Sequence, residues 1–288
     1  MTNQKNILTS RGRYLDISQP VVMGILNATP DSFYNKGQHS DLDGLLRNAE
    51  KMLKEGAAIL DIGGASTKPG QELISADEEL QRVIPVVTAI HTRFPDAWLS
   101  IDTYNSKVAS ETVAAGVSIV NDVSSGRFDN NMLHVVAGLK VPYIAMHMQG
   151  TPKTMQQDPQ YDDVVLEVRG YLQQICEQCD AAGINNVIID PGFGFGKTVE
   201  HNFQLLRSLH TFKALGRPIL AGLSRKSMIC KPLKVNPEYA LNGTTALNMV
   251  ALQQGANILR VHDVKEAMEV IVMAQLLNGG LSPSLSKG

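Results

Sequence analysis

The chain has 288 residues, of which 43% are hydrophobic and 19% charged, with a formal net charge of -2. A chain of this length buries roughly three-quarters of its unfolded surface, and the composition is that of an ordinary globular protein. Near-neutral charge without a basic stripe excludes a general nucleic-acid binder while leaving room for a local anion site.

At the start of the chain, MTNQKNILTSRGRYLDI lacks the apolar core of a secretory signal. The run Val21–Leu26 is too short to cross a bilayer. The three cysteines cannot all pair within one chain, which fits reduced thiols and a cytoplasmic location. From there, short apolar runs recur: VVMGILN (21–27), AILDIGG (58–64), LSIDT (99–103), IVNDV (119–123), PYIAMHM (142–148), VIIDPG (187–192), PILAGLS (218–224) and ILRVHDV (258–264). Continuous runs of this length suit strands covered on both faces.

Helical patterns lie between them. Ser75-Ala76-Asp77-Glu78 reads as a capping box, with Leu80, Val83, Ile84 and Val87 following at helical spacing. Pro85 inside that pattern predicts a kink. Tyr161 to Ala182 is long enough for a helix that Gly183 can stop. Asn236-Pro237 reads as a cap followed by proline at the first helical position. Eight strands alternating with helices imply parallel pairing. The expected fold is α/β, a single (β/α)8 TIM barrel domain over 1–288, with long loops after the first and second strands (28–40 and 65–74) and a loose tail from 282.

In such a barrel the working site gathers at the C-terminal ends of the strands. The polar residues there are Asn27, Asp61, Asp102, Asn121, His147, Asp190, Ser224, Arg260 and His262. The stretch IIDPGFGFGKT (188–198) resembles a phosphate cradle, but the glycine that a P-loop requires falls at Pro191. Gly192, Gly194 and Gly196 also miss the dinucleotide spacing. They read as turn residues, Lys197 as a solvated side chain, and Asp190 as a carboxylate left at the mouth. Cys176 and Cys179 form a CxxC, yet no second ligand pair stands nearby, so thiols on a helix are expected rather than zinc.

A lone acid at a strand end is as readily a helix cap or an ion-pair partner as a functional group. Asp190 beside Asp102, Asn121 and Lys226 offers more. A carboxylate accepts two parallel N–H bonds, an amide donates and accepts, and an ammonium pairs with a carbonyl. Those are the demands of a 2-amino-4-oxo-pteridine or guanine-like ring.

The motifs resemble those of the dihydropteroate synthase family. They run in order: Asn27-Ala28-Thr29-Pro30-Asp31-Ser32-Phe33, Asp61 to Gly70, Ile101-Asp102-Thr103, Val120 to Val123, Met146 to Pro152, Asp190 to Lys197, Ser224-Arg225-Lys226-Ser227 and Arg260 to Val264. The resemblance implies joining p-aminobenzoate to 6-hydroxymethyl-7,8-dihydropterin diphosphate, a transfer in folate synthesis that releases pyrophosphate. By motif it implies that Asp102, Asn121, Asp190 and Lys226 hold the pterin, with Met146 and Phe195 packed on it. Asn27, Arg260 and His262 would grip the diphosphate, and Asn27 would bind Mg2+. Phe33, Thr67, Pro69 and Ser224 would form the p-aminobenzoate side, which is also the sulfonamide side. Asp102, Arg260, His262 and Lys226 would be catalytic, with His262 protonated. A homodimer through the last helix (Met268, Ile271, Val272, Gln275, Leu276) is expected; the same stripe would equally pack on the barrel.

Ala65 and Lys68 depart from the family's usual Glu and Arg, and Met228 to Pro232 departs from its glycine-containing continuation. On residue chemistry alone Arg260 needs an anionic partner, which Asp61 or Asp263 could supply instead of phosphate, and His262 reads somewhat better as a hydrogen-bonded structural histidine than as an anion ligand. Asp122 reads as support for Asn121. Methyl transfer from a folate to a corrinoid would share the Asp and Asn ring contacts with less need of the first loop or of Ser224-Arg225-Lys226, and pterin carriage without catalysis would not need Asn27, Arg260 and His262 together around an anion site.

Overall fold

The structure is a computed structural model that describes residues 6–28, 38–65, 70 and 72–279. The chain opens with a hairpin that the sequence reading missed, β1 (Ile7–Ser10) paired antiparallel with β2 (Arg13–Asp16). Arg11 and Gly12 turn it with positive φ of 52° and 77°, the left-handed geometry of a tight two-residue loop. There follow β3 (Val21–Asn27), α1 (Gln38–Lys54), β4 (Ile59–Gly63), α2 (Ala76–Arg93), β5 (Trp98–Asp102), α3 (Ser106–Ala115), β6 (Ile119–Asp122) and α4 (Met132–Leu139). The second half adds β7 (Tyr143–Met146), α5 (Val164–Ala182), β8 (Val187–Asp190), α6 (Val199–Arg207), β9 (Leu220–Ala221), α7 (Ser227–Leu233), α8 (Leu241–Gln253), β10 (Ile258–Val261) and α9 (Val264–Leu277).

The eight strands from β3 onward form one parallel sheet in the order β8-β7-β6-β5-β4-β3-β10-β9. A parallel bridge between Ile189 and Ile219 joins its two edges and closes the barrel. β9 is short, two residues where the apolar run spans 218–224. Every residue of β4 through β8 is buried, which is why those strands read as mostly apolar runs with polar residues toward their C-terminal ends rather than as alternating ones. Below the site, Leu8 and Ile17 beside the hairpin seal the barrel floor against Ile59, Ile119, Ile144, Ile188 and Ile258. Burying each of the two is worth roughly 1.5–3 kcal/mol.

Ser75 caps α2 by accepting the Glu78 backbone N–H at 3.2 Å. Only this half of the expected capping box forms, because the Glu78 carboxylate turns to Arg82 one helical turn on. Pro85 does not end α2: it and Gln81 lie on the exposed face, so the carbonyl left without a donor is open to water. Asp163 caps α5, and Gly183 stops it in the left-handed conformation (φ 85°). Asn236 makes no side-chain cap bond; Pro237 opens one 3-10 turn (Pro237–Tyr239), and the following helix starts at Leu241. On α9, Ile271 is buried with Val264, Ala267 and Ala274, whereas Met273 and Leu277 face outward.

Candidate active site

Strand register sets the mouth. Asn27 pairs with Gly63, Gly63 with Asp102 and Asp102 with Asn121, and Met146 pairs with Asp190. Inside this ring Arg260, on β10, is clamped between two acids. Its Nε donates to Asp61 Oδ2 at 2.6 Å and its Nη2 to Asp102 Oδ2 at 2.7 Å. Asn121 Nδ2 donates to the same Asp61 oxygen at 3.1 Å. Asp61 is fully buried; it belongs to the scaffold, holding the guanidinium and the amide in place. Asp263, the other candidate partner, instead takes Arg225 through two bonds, Nε at 3.1 Å and Nη2 at 2.5 Å. Burial opposes the charge on Arg260, but Asp61 and Asp102 together raise its pKa above the ordinary value. Burial likewise lifts the Asp102 carboxyl to about 7, against the pull of Arg260 and with a further push from Asp61.

Beside this clamp β9 gives way to Gly222, and the space a side chain would fill there is shared. A Cβ at Gly222 would stand 3.7 Å from Lys226 Nζ, 4.0 Å from Asp190 Oδ2 and 4.0 Å from Arg260 Cβ. The ammonium, the carboxylate and the stem of the guanidinium thus meet across one bare strand position. Asp190 Oδ1 accepts the Gly192 N–H at 2.7 Å, which aims the carboxylate. Lys226 donates to the Phe193 carbonyl and sits 4.8 Å from the centroid of the Phe195 ring. Burial lowers the Lys226 pKa to about 8 although Asp190 opposes it; burial raises Asp190, with Lys226 opposing. Met146 is buried in an apolar wall with Tyr104, Val123, Met148 and Met155, against which Phe195 and Ala65 pack.

Ser224 and His262 form a second unit. Ser224 Oγ accepts the His262 backbone N–H at 3.2 Å and lies 2.9 Å from His262 Nδ1. An oxygen already accepting from the backbone best donates its hydrogen to Nδ1, which assigns the ring proton to Nε2. Burial, then Arg225 and Arg260, lower the His262 pKa to about 4. That shift favours the neutral ring over the expected imidazolium near pH 7, and its Nε2–H would still offer a donor to an anion. Asn27 is exposed at the end of β3. Phe33, Thr67 and Pro69 lie outside the described residues, as does Lys68.

Other readings fall into place around the site. Lys197 is not solvated: it is 2% exposed, and its Nζ lies 2.9 Å from the Gly192 carbonyl, 3.0 Å from that of Phe195 and 2.9 Å from His147 Nδ1. Nothing in the spacing of the motif signals this burial. Asp122 accepts from Ser124 N, Ser124 Oγ, Gly126 N and Tyr143 Oη, all within 2.8 Å, and so supports the loop after β6. His201 completes a capping box at the start of α6, and His210 bonds Gln254. Cys176 and Cys179 are free thiols buried on α5, with burial pushing Cys179 up to about 12.

A family profile described as "Pterin binding enzyme" matches residues 23–262. The dihydropteroate synthase of Escherichia coli strain K12 is 47% identical over 266 residues, 92% of this chain and 94% of that protein. The chain belongs to the dihydropteroate synthase family. The Haemophilus influenzae dihydropteroate synthase is 46% identical over 270 residues, 93% of this chain and 98% of that protein. A crystal structure of the Yersinia pestis dihydropteroate synthase with a sulfonamide drug superimposes with a TM-score of 0.89 at 46% identity, covering 95% of this chain and 100% of that one. The Xanthomonas albilineans dihydropteroate synthase in complex with 7,8-dihydropteroate gives 0.86 at 39% identity, over 96% and 100%. Dihydropteroate synthases are transferases, and the barrel mouth described above is the part of this fold where such enzymes act.

Proposed function

We propose that the chain condenses 6-hydroxymethyl-7,8-dihydropterin diphosphate with p-aminobenzoate, forming 7,8-dihydropteroate and pyrophosphate. The meeting of Asp190, Lys226 and Arg260 around Gly222 carries this reading. The Asp190 carboxylate would accept N–H bonds from the amino-pyrimidine edge of the pterin. Asn121, held by Asp61, would read the neighbouring edge, and Lys226 would donate to the ring carbonyl. Met146 and Phe195 would pack against the ring. Asn27, Arg260 and the Nε2–H of His262 would hold the diphosphate. Phe33, Thr67, Pro69 and Ser224 would form the p-aminobenzoate pocket. The complex of the Xanthomonas albilineans enzyme with 4-aminobenzoic acid supports that second substrate class.

The bond from the exocyclic methylene to oxygen breaks with its electron pair leaving on pyrophosphate. Electron release from the dihydropterin ring stabilises the methylene cation, and Asp102 favours the positive charge. The amine lone pair of p-aminobenzoate then forms the C–N bond, and the nitrogen gives up a proton. An arylamine needs little activation against a cation, so no nucleophile triad is required.

Among the described residues no cluster of three acidic, histidine or cysteine side chains could hold a metal. Mg2+ nevertheless fits as a ligand of the diphosphate, because it keeps several waters and binds few protein groups beside phosphate oxygens. Asn27 would hold it, and the ion would neutralise charge on the leaving group. Association through α9, where Met273 and Leu277 are exposed, is consistent with a homodimer. No helix among the described residues is long and apolar enough to cross a membrane, in keeping with a cytoplasmic enzyme. A sulfonamide would compete with p-aminobenzoate, with Ala65, Lys68 and Cys230 setting how well.

The reading is tested by supplying both substrates with Mg2+ and following pyrophosphate. Release that requires p-aminobenzoate and stops with a chelator is expected; tight pterin binding without turnover would mark a carrier instead. A second test uses pH. Lys226 carries its charge below about 8 and loses it above. The profile of kcat/KM for the pterin diphosphate should therefore fall on the alkaline side near pH 8, because that ratio reports the free enzyme. Lys226→Arg should push the fall to much higher pH; a limb that stays in place would remove Lys226 from the site.

A further inference from the structure

The lysine of the Gly-Lys-Thr stretch takes no part in the roles assigned above, and its surroundings give it another. We propose that Lys197 is a positioning residue of the pterin subsite: its ammonium, buried inside the loop between β8 and α6, donates to the Gly192 and Phe195 carbonyls and to His147 Nδ1, fixing the segment that presents Asp190, Phe193 and Phe195. The inference rests on the pterin-binding reading of that subsite.

The loop delivers three things within a few residues of the carbonyls Lys197 holds. The Gly192 N–H aims Asp190 at 2.7 Å, the Phe193 carbonyl anchors Lys226, and the Phe195 ring lies 4.8 Å from Lys226 Nζ. Gly192, Gly194 and Gly196 all have positive φ (70°, 84° and 63°), which folds the loop back around Nζ. The loop is pressed onto the chain after β7: a Cβ at Gly192 would fall 1.9 Å from the His147 carbonyl, and one at Gly196 2.6 Å from that of Gln149. On the far side Tyr161 Oη donates to the Gly196 carbonyl at 2.7 Å, and the His147 ring packs edge-on against Tyr171 at 5.0 Å.

Four acceptors surround the one nitrogen, the Gly192 and Phe195 carbonyls at 2.9 and 3.0 Å, His147 Nδ1 at 2.9 Å and, more loosely, the His147 carbonyl at 3.4 Å, enough to take every N–H of an ammonium. Burial pushes the Lys197 pKa well below its ordinary value, with Asp190 opposing and Lys226 and Arg127 adding to the fall; the acceptors gathered around Nζ are what favour its charged form. Burial holds the His147 ring neutral, with its pKa lowered to about 2, so Nδ1 is free to accept when the ring proton sits on Nε2. With every N–H directed at the loop carbonyls and at His147, none is left for a phosphate. Loss of Nζ would leave the Phe195 carbonyl without its partner and the Gly192 carbonyl with only the Phe195 N–H, and would loosen the loop from the chain after β7, without touching the p-aminobenzoate side.

Calorimetric titration of wild-type protein with 6-hydroxymethyl-7,8-dihydropterin diphosphate sets the reference; a wild type that binds no pterin overturns the functional reading and this inference with it. Lys197→Met is expected to raise the pterin Kd about tenfold or more, because buried acceptors lose their partner, with the KM for p-aminobenzoate within about twofold. Lys197→Gln keeps two amide donors and should recover part of the loss, remaining about threefold weaker than wild type. A folded Lys197→Met with the wild-type pterin Kd overturns the proposal. Should that variant not fold, Lys197→Gln decides, and an unchanged Kd there counts against it. Nitrogen-15 NMR of wild-type His147 is the independent readout: Nδ1 is expected without a proton, and a protonated Nδ1 refutes the donor role of Nζ.

Discussion

Arg260→Met is expected to cut kcat/KM for the pterin diphosphate by about 10²–10³-fold, the scale of losing one donor to developing negative charge, and to destabilise the fold by roughly 3–5 kcal/mol. The second effect follows from the clamp. Asp61 and Asp102 both lean on the guanidinium, at 2.6 and 2.7 Å, and without it two buried carboxylates face each other unpaired. The sign with pH is determined. The Asp102 carboxyl already titrates near 7 in the fold, well above its value in an unfolded chain, so the folded state binds the extra proton and stability falls as pH rises through that interval. Removing Arg260, which holds the Asp102 pKa down, extends that interval upward. Urea unfolding at pH 6 and pH 9 should therefore show the larger penalty at pH 9. For ligands, the diphosphate substrate should lose more affinity than the unphosphorylated pterin; equal losses would take the guanidinium off the diphosphate and leave it a purely internal strut.

Asp190→Asn should weaken pterin binding by roughly tenfold to a hundredfold, because one acceptor becomes a donor facing N–H groups, a mismatch worth about 1–3 kcal/mol. The amide oxygen can still take the Gly192 N–H that Asp190 Oδ1 accepts at 2.7 Å, so thermal stability should move little. The variant carries an internal check. Asp190 opposes the burial that lowers the Lys226 pKa; without it that pKa drops below about 8, and the alkaline fall of kcat/KM shifts to lower pH. Unchanged pterin affinity in calorimetry would remove Asp190 from the ring site.

Both expectations join residues far apart in the chain, and this marks the boundary between what the sequence reveals and what it hides. The eight-stranded barrel was legible because strands buried on both faces must be largely apolar up to their polar ends, as Val21 to Leu26 and Val187 to Ile189 are. The floor was not: the hairpin around Arg11-Gly12 has strands of four residues each, too short for a periodic signal, and it matters only because it closes the barrel from below. The polar strand ends were legible as a set, since a polar residue closing an apolar run must face a mouth or a partner. Which of the two it faces was not.

The amino-acid sequence by itself determined the number of barrel strands, their parallel sense and the identity of the side chains available at the mouth. Alternation of apolar runs with helical patterns admits few other solutions, and the chemistry of a carboxylate or an ammonium travels with the residue. Only the tertiary structure decided how those groups divide the work. Asp61 became scaffold because Arg260 reaches it from β10, with only β3 between their strands; Asp263 was drawn away by Arg225; and Lys197 turned inward because three left-handed glycines bend the chain around its nitrogen. Pairing energies depend on distance and burial, and those are properties of the closed barrel, in which residues as distant in sequence as Asp61 and Arg260 come within 2.6 Å.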